Sequence, residues 1–240
     1  MDKPFQFKEF KVHQDKTAMK IGTDGVLLGA WCSIDNFPEA ILDVGSGTGI
    51  IALMLAQRSD SMTIDAVEID ENGYEQSVEN FEQSDWGDRL YCYNSSFQEF
   101  ADEIAEEQET YDLIVTNPPF YTDDFETKNA ARNKARFVSS LPFEDLIKNA
   151  VKILSEDGKF SLIVPFKEEQ EIIRLSNAHS LFLNRKCLVQ GNPKSEIKRV
   201  LLEFSFRQVE IISEHLIIEI ERHQYTKEYI NLTKNFYLKM

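Results

Sequence analysis

Two short stretches of this sequence hold residues whose types and spacing fit chemistry. The first is Asp43-Val-Gly45-Ser-Gly47-Thr-Gly49. Glycines at alternate positions permit left-handed backbone and let a ligand approach bare main chain. The spacing differs from the Gly-x-Gly-x-x-Gly of dinucleotide sites, and the lysine of a phosphate loop is missing. Asp43 would repel a phosphate and suits an amine-bearing ligand. Glu68 closes the next apolar run, where a carboxylate can accept both hydroxyls of a ribose. The second stretch is Asn117-Pro118-Pro119-Phe120. Consecutive prolines fix φ and remove N–H donors, so the Asn117 and Pro118 carbonyls are stiffly aimed. The Asn117 side-chain oxygen and the Pro118 carbonyl can each accept one N–H of a planar NH2, while Phe120 stacks on the ring bearing it. That arrangement makes an exocyclic nitrogen a better nucleophile, and it calls for no metal.

These residues need a frame that brings them to one edge. Residues 41–44, 63–69, 90–93, 111–116 and 159–164 read as strands, the fourth nearly continuous in apolar residues, as in buried parallel sheet. Helical stretches over 50–57, 74–82, 97–109 and 143–154 alternate with them. The alternation implies an α/β, doubly wound, mostly parallel sheet with right-handed crossovers. Residues 182–190 and 198–206 are joined by Gly191-Asn-Pro-Lys-Ser, too short for a crossover helix, so an antiparallel hairpin is expected at the end of the sheet. Residues 26–31 read as an amphipathic helix. One domain over 1–207 is expected, with 208–240 a C-terminal extension packed on it.

Composition narrows the classes. The chain has 240 residues, 42% of them hydrophobic, enough for a sizeable core and too many for disorder. Its apolar runs fall far short of the ~20 residues a membrane span needs, and no charged-then-apolar leader opens it. The three cysteines, Cys32, Cys92 and Cys187, are widely spaced, which argues against a disulfide framework or a zinc site. A reduced, cytoplasmic protein without a metal is expected. The net charge of −15 speaks against a nucleic-acid partner when averaged over the chain. Local sums differ. Lys128, Arg132, Lys134 and Arg136 have no acid among them, and five bases in 185–199 face Glu196 alone. Residues 1–20 hold five lysines against three acids, whereas 99–112 hold seven acids and no base. Basic segments at one rim of the sheet would meet phosphates despite the average.

The glycine stretch resembles motif I of the S-adenosylmethionine-dependent methyltransferases with seven-stranded sheets, and the terminal hairpin matches how that sheet ends. The resemblance implies that Gly45, Gly47 and Gly49, flanked by Asp43, face the amino-acid part of the cofactor, and that Glu68 holds its ribose. Asp70 would cap the following helix. After the third strand such enzymes often place an Asp that accepts from the adenine amino group. Ser96 stands there in this chain and is a weaker acceptor, beside Phe97, which can pack on the purine. With motif I, Asn117-Pro-Pro-Phe120 resembles the amino-methyltransferases, whose substrates are adenine N6, cytosine N4, guanine N2 or a glutamine amide. Asn117, Pro118, Pro119 and Phe120 are then the expected catalytic residues, with Asn117 also touching the cofactor.

The segment from Gln14 to Trp31, through Lys20-Ile-Gly-Thr23-Asp-Gly25, resembles the start of the bacterial tRNA1(Val) adenine-N6 methyltransferase family, which modifies adenosine-37 beside the anticodon. The likeness continues in order through Ala135-Arg136 and Lys198-Arg-Val-Leu-Leu-Glu203. It implies that residues 1–38 cap cofactor and substrate, that Lys20 and Thr23 contact S-adenosylmethionine, and that Lys128, Arg132, Lys134 and Arg136 meet a tRNA. Phe137 departs from the family's His and is given no role. A monomer is expected. Glutamine methylation of release factors and guanine-N2 methylation of ribosomal RNA use similar motifs, but on enzymes with an added helical or a duplicated domain. A nucleoside- or RNA-binding module without turnover is the non-enzymatic alternative.

Overall fold

The computed structural model describes residues 3–17, 19–119 and 141–240. The chain opens with a small antiparallel pair, β1 (Phe5–Gln6) and β2 (Lys11–Val12), and helix α1 (Thr23–Trp31). Then come β3 (Ala40–Val44), α2 (Ile50–Arg58), β4 (Thr63–Val67), α3 (Glu71–Glu82), β5 (Leu90–Tyr93), α4 (Phe97–Glu107) and β6 (Tyr111–Thr116). Beyond Ser140 follow α5 (Phe143–Ile153), β7 (Leu154–Pro165), α6 (Glu169–Ala178), β8 (Phe182–Gln190) and β9 (Ile197–Ser205). The tail supplies β10 (Ile212–Ile217), β11 (Glu219–Glu221), β12 (Gln224–Tyr225) and α7 (Lys227–Thr233).

The main sheet runs β10-β8-β9-β7-β6-β3-β4-β5. Its central strands are parallel, and β9 is antiparallel to both β7 and β8, as the short 191–195 connection requires. The sheet has eight strands rather than the expected seven, because β10 pairs in parallel with β8, Ile212 abreast of Arg185. The tail then returns to the start of the chain, where Lys8 N–H donates to the Phe236 carbonyl (2.8 Å) and the Phe7 and Tyr237 rings stack at 5.7 Å.

The two faces of the sheet carry separate cores. Side chains of α1, α2 and α7 fill one, and those of α4, α5 and α6 fill the other. Helix α6 carries little apolar signal in the sequence, because its first residues, Glu169-Gln-Glu171, are polar and only Ile172, Leu175, Ser176 and Glu169 are buried. Helix α1 is a correction of a different kind. It is not amphipathic: every residue from Gly25 to Trp31 is buried, because α2, α7 and β7 surround it. A helix apolar all round belongs inside. Gly29 allows the closest approach, since a β-carbon there would stand 2.9 Å from Met54 Sδ on α2.

Candidate active site

Sheet register brings the motifs together. Val44 at the end of β3 pairs with Val67 on one side and with Thr116 on the other. The next residues, Gly45, Glu68 and Asn117, therefore leave the sheet abreast at its carboxyl edge. Strand order reverses here, the position where open α/β sheets bind ligands. A cavity of about 450 Å³ opens at this point, within the ~300–1,000 Å³ usual for small-molecule sites. Gly45, Gly47, Glu68, Ser96, Phe97, Asn117, Pro118 and Pro119 all line it.

The three glycines divide by role. Gly45, Gly47 and Gly49 all have left-handed φ, +74°, +56° and +74°. A β-carbon on Gly45 or Gly47 would meet nothing within 4 Å, so their bare backbone borders open space. A β-carbon on Gly49 would stand 2.4 Å from Phe81 Cε1. Gly49 is the residue before α2, packed against α3, and it is not on the cavity wall.

Glu68 is buried, and both of its oxygens are engaged by backbone. Oε2 accepts from Gly47 N–H (2.8 Å) and Oε1 from Asp70 N–H (2.9 Å). Burial pushes its carboxyl above the ordinary value, and those N–H groups pull it back. Each oxygen keeps acceptor capacity for a further donor. Gly73 makes room for the side chain. Asp70 caps α3, its Oδ2 accepting from Gly73 N–H (2.9 Å), and it also lines the cavity. Asp43 lies beneath the loop instead of on the wall. It is fully buried, Oδ2 accepts from Ala52 N–H (3.2 Å), and Oδ1 has no partner. Burial raises its carboxyl to about 7.

Ser96 caps α4, accepting from Glu99 N–H (3.2 Å) and donating to Glu99 Oε2 (2.7 Å), with Phe97 buried beside it. Ser95 and Gln98 on either side also line the cavity; neither is among the residues expected from the sequence, and the signal for both is their place beside the Ser96–Phe97 pair. From the N-terminal segment, Thr17 and Met19 reach the wall, whereas Lys20 and Thr23 do not. Thr23 begins α1, whose Gly25 faces the Asn117 side chain across a gap that a β-carbon would fill. A β-carbon on Gly25 would lie 3.9 Å from Asn117 Nδ2. Phe120, Lys128, Arg132, Lys134, Arg136 and Phe137 lie outside the described residues.

The charge sums along the chain overstate the positive rim. Arg185 pairs with Glu214 (2.8 Å) and lies over the Trp31 ring at 4.3 Å. Lys186 pairs with the buried Glu169 (2.7 Å), and Arg199 with Asp24 (2.8 Å). Lys16 sits between Glu75 and Glu79, 3.3 Å from each. Lys194 and Lys198 are exposed near the β8–β9 turn. That turn is at the carboxyl edge, because Arg199 is abreast of Pro165 at the end of β7. Among the described residues, no cluster of three or more His, Cys, Asp or Glu could hold a metal, and no helix is long and apolar enough to cross a membrane.

Bare glycine backbone at the sheet's reversal point, a strand-end acid with spare acceptor capacity and a rigid Asn-Pro-Pro wall suit S-adenosylmethionine better than a dinucleotide. Gly45, Gly47, Glu68, Ser96 and Phe97 are the residues that would hold it. Comparison with known proteins agrees on the class. Residues 32–177 match the model of the Methyltransferase small domain family. Among solved structures, a predicted O-methyltransferase from Agrobacterium tumefaciens superposes with a TM-score of 0.68 at 20% identity, covering 89% of this chain and 96% of that one. A putative RNA methyltransferase from Pyrococcus horikoshii gives 0.52 at 16% identity, covering 75% and 80%. At such identities the likeness is one of fold, and the fold is that of the methyltransferases.

Nearer relatives specify the family. A protein of Christiangramia forsetii is 54% identical over 239 residues, spanning 100% of this chain and 99% of its own length. One of Flavobacterium johnsoniae is 56% identical, spanning 98% and 100%. Both are named tRNA1(Val) (adenine(37)-N6)-methyltransferase, and the chain belongs to that family.

Proposed function

We propose that this protein transfers a methyl group from S-adenosylmethionine to the exocyclic N6 of adenosine-37 in a valine tRNA, acting as a monomer in the cytoplasm. The observation that carries the reading is the single cavity running from Gly45, Gly47 and Glu68 to Asn117, Pro118 and Pro119. Cofactor-holding and amine-holding residues share one wall, as direct transfer requires.

The cofactor, when bound, supplies an electrophilic methyl on a sulfonium. The protein's part is positioning. Glu68, held by Gly47 and Asp70, offers its remaining lone pairs to the ribose hydroxyls. The Asn117 side-chain oxygen and the Pro118 carbonyl each accept one N–H of the adenine amino group. Both acceptors turn the nitrogen lone pair toward the methyl and favour its pyramidal form. The N–C bond forms as the S–C bond breaks, and the extra proton on the product nitrogen leaves to water. No side chain needs to act as a base.

The test is methylation of valine tRNA from a strain deleted for this gene, followed by mass spectrometry of its nucleosides and of its ribonuclease fragments. N6-methyladenosine at position 37 of the valine tRNA is expected. Its absence, or a methyl on another atom, would overturn the assignment.

A further inference from the structure

Helix α3 carries a polar face that is fully buried. Gln76, Ser77 and Asn80 have no exposed surface, and their spacing puts them on one side of the helix. Burying amides costs free energy unless each finds a partner, so an apolar face would pack more cheaply. Here each of the three has a partner among the backbone groups of two separate segments, while Ser77 also bonds Ser46 Oγ and Gln76 also bonds Glu79.

Asn80 holds both segments at once. Its Oδ1 accepts from His13 N–H (2.7 Å), and its Nδ2 donates to the His13 carbonyl and to the Thr48 carbonyl, 2.9 Å each. Gln76 Oε1 accepts from Lys16 N–H (3.0 Å), and Ser77 Oγ donates to the Gly47 carbonyl (3.1 Å). One end of each clasped segment reaches the cavity, Thr17 directly after Lys16 and Gly47 directly before Thr48. None of Gln76, Ser77 and Asn80 lines the cavity.

We propose that Asn80, seconded by Gln76, is a positioning residue for the cofactor. It sets the distance between the N-terminal segment and the glycine loop, so that Thr17 and Gly47 become walls of one site. Asparagine suits the task because one side chain supplies an acceptor and two donors; aspartate lacks the donors, and leucine lacks both. The inference rests on the reading of the cavity as an S-adenosylmethionine site.

The test is calorimetric titration of the full-length protein with S-adenosylmethionine, alongside thermal melting and steady-state kinetics. Asn80→Ala is expected to weaken binding about tenfold in the folded fraction, and Gln76→Ala, which frees the N-terminal segment alone, about threefold. At saturating cofactor, kcat and the KM for tRNA should stay within about twofold of wild type, since neither change touches Asn117. A role limited to stability would lower the melting temperature and leave the affinity of folded protein unchanged, and that result overturns the proposal. Should Asn80→Ala fail to fold, wild-type affinity in Gln76→Ala overturns it equally. Wild-type protein that does not bind S-adenosylmethionine would remove the cavity reading and this inference together, whereas wild-type binding with unaltered variants removes the inference alone.

Discussion

Glu68 and Gly73 are fitted to one another. A β-carbon on Gly73 would stand 2.9 Å from Glu68 Cγ, closer than side chains pack. The missing side chain lets the acid turn back to take the Gly47 N–H, so the strand-end acid and the glycine loop form one unit. Gly73→Ala should lower the melting temperature modestly, because displacing Glu68 loses two backbone hydrogen bonds and the helix propensity of alanine returns at most ~1 kcal/mol. It should also weaken S-adenosylmethionine binding about tenfold, read by calorimetry. Unchanged affinity would remove Glu68 from the cofactor site.

The loop glycines should fail in different ways. Gly49→Ala combines a left-handed φ with a collision against Phe81, and urea denaturation should show a loss of ~2–4 kcal/mol. Gly47→Ala carries the backbone strain alone, ~1–2 kcal/mol. Its β-carbon enters the space beside the cavity, so cofactor binding should fall further than stability does. Equal binding loss in the two variants, after correction for unfolded protein, would contradict this division.

Asp43 should leave a mark on stability against pH. In the folded chain burial holds its carboxyl protonated up to about 7, against an ordinary value of 3.8. The folded state binds the proton more tightly than the unfolded state, so this group's contribution favours folding at acidic pH and is withdrawn as pH rises from about 3.8 to about 7. Glu68 and Asp65 are raised too and add in the same direction. Denaturation at pH 5 and pH 8 should show a smaller loss of stability in Asp43→Asn than in wild type. Parallel losses in the two proteins would mean Asp43 is ionised in the folded chain.

Lys194 and Lys198 are exposed near the turn at the carboxyl edge, close to the strand ends that carry the motifs. Charge reversal of both should raise the KM for tRNA several-fold at low salt, and less at high salt, while leaving cofactor affinity unchanged. A salt-independent effect would argue against phosphate contact.

Much of the sheet was legible because its strands announce themselves locally. Residues 90–93 and 182–190 were read with the observed bounds, and the hairpin followed from a connection too short for anything else. The site was legible because its residues cluster at strand ends. What stayed hidden depends on partners distant in sequence. The basic run 185–199 looked like a charged rim until Glu214, Glu169 and Asp24 arrived from other elements to pair with it. The eighth strand needed the edge of β8 as a template. Asn80 reads as an ordinary polar helix residue until His13 and Thr48 are brought to it. Thr17 and Met19, rather than Lys20 and Thr23, reach the cavity because Lys16 N–H is fixed by Gln76, a contact with no local signal.

The proposed methyl transfer requires the amine substrate to be held at Asn117, beside the cofactor. Asn117→Ala protein should be incubated with S-adenosylmethionine and tRNA from a strain deleted for this gene, its nucleosides quantified by mass spectrometry and its cofactor affinity measured in parallel. Wild-type affinity is expected, with N6-methyladenosine formed about 10²–10³-fold more slowly. Wild-type rates in this variant would contradict that role for Asn117.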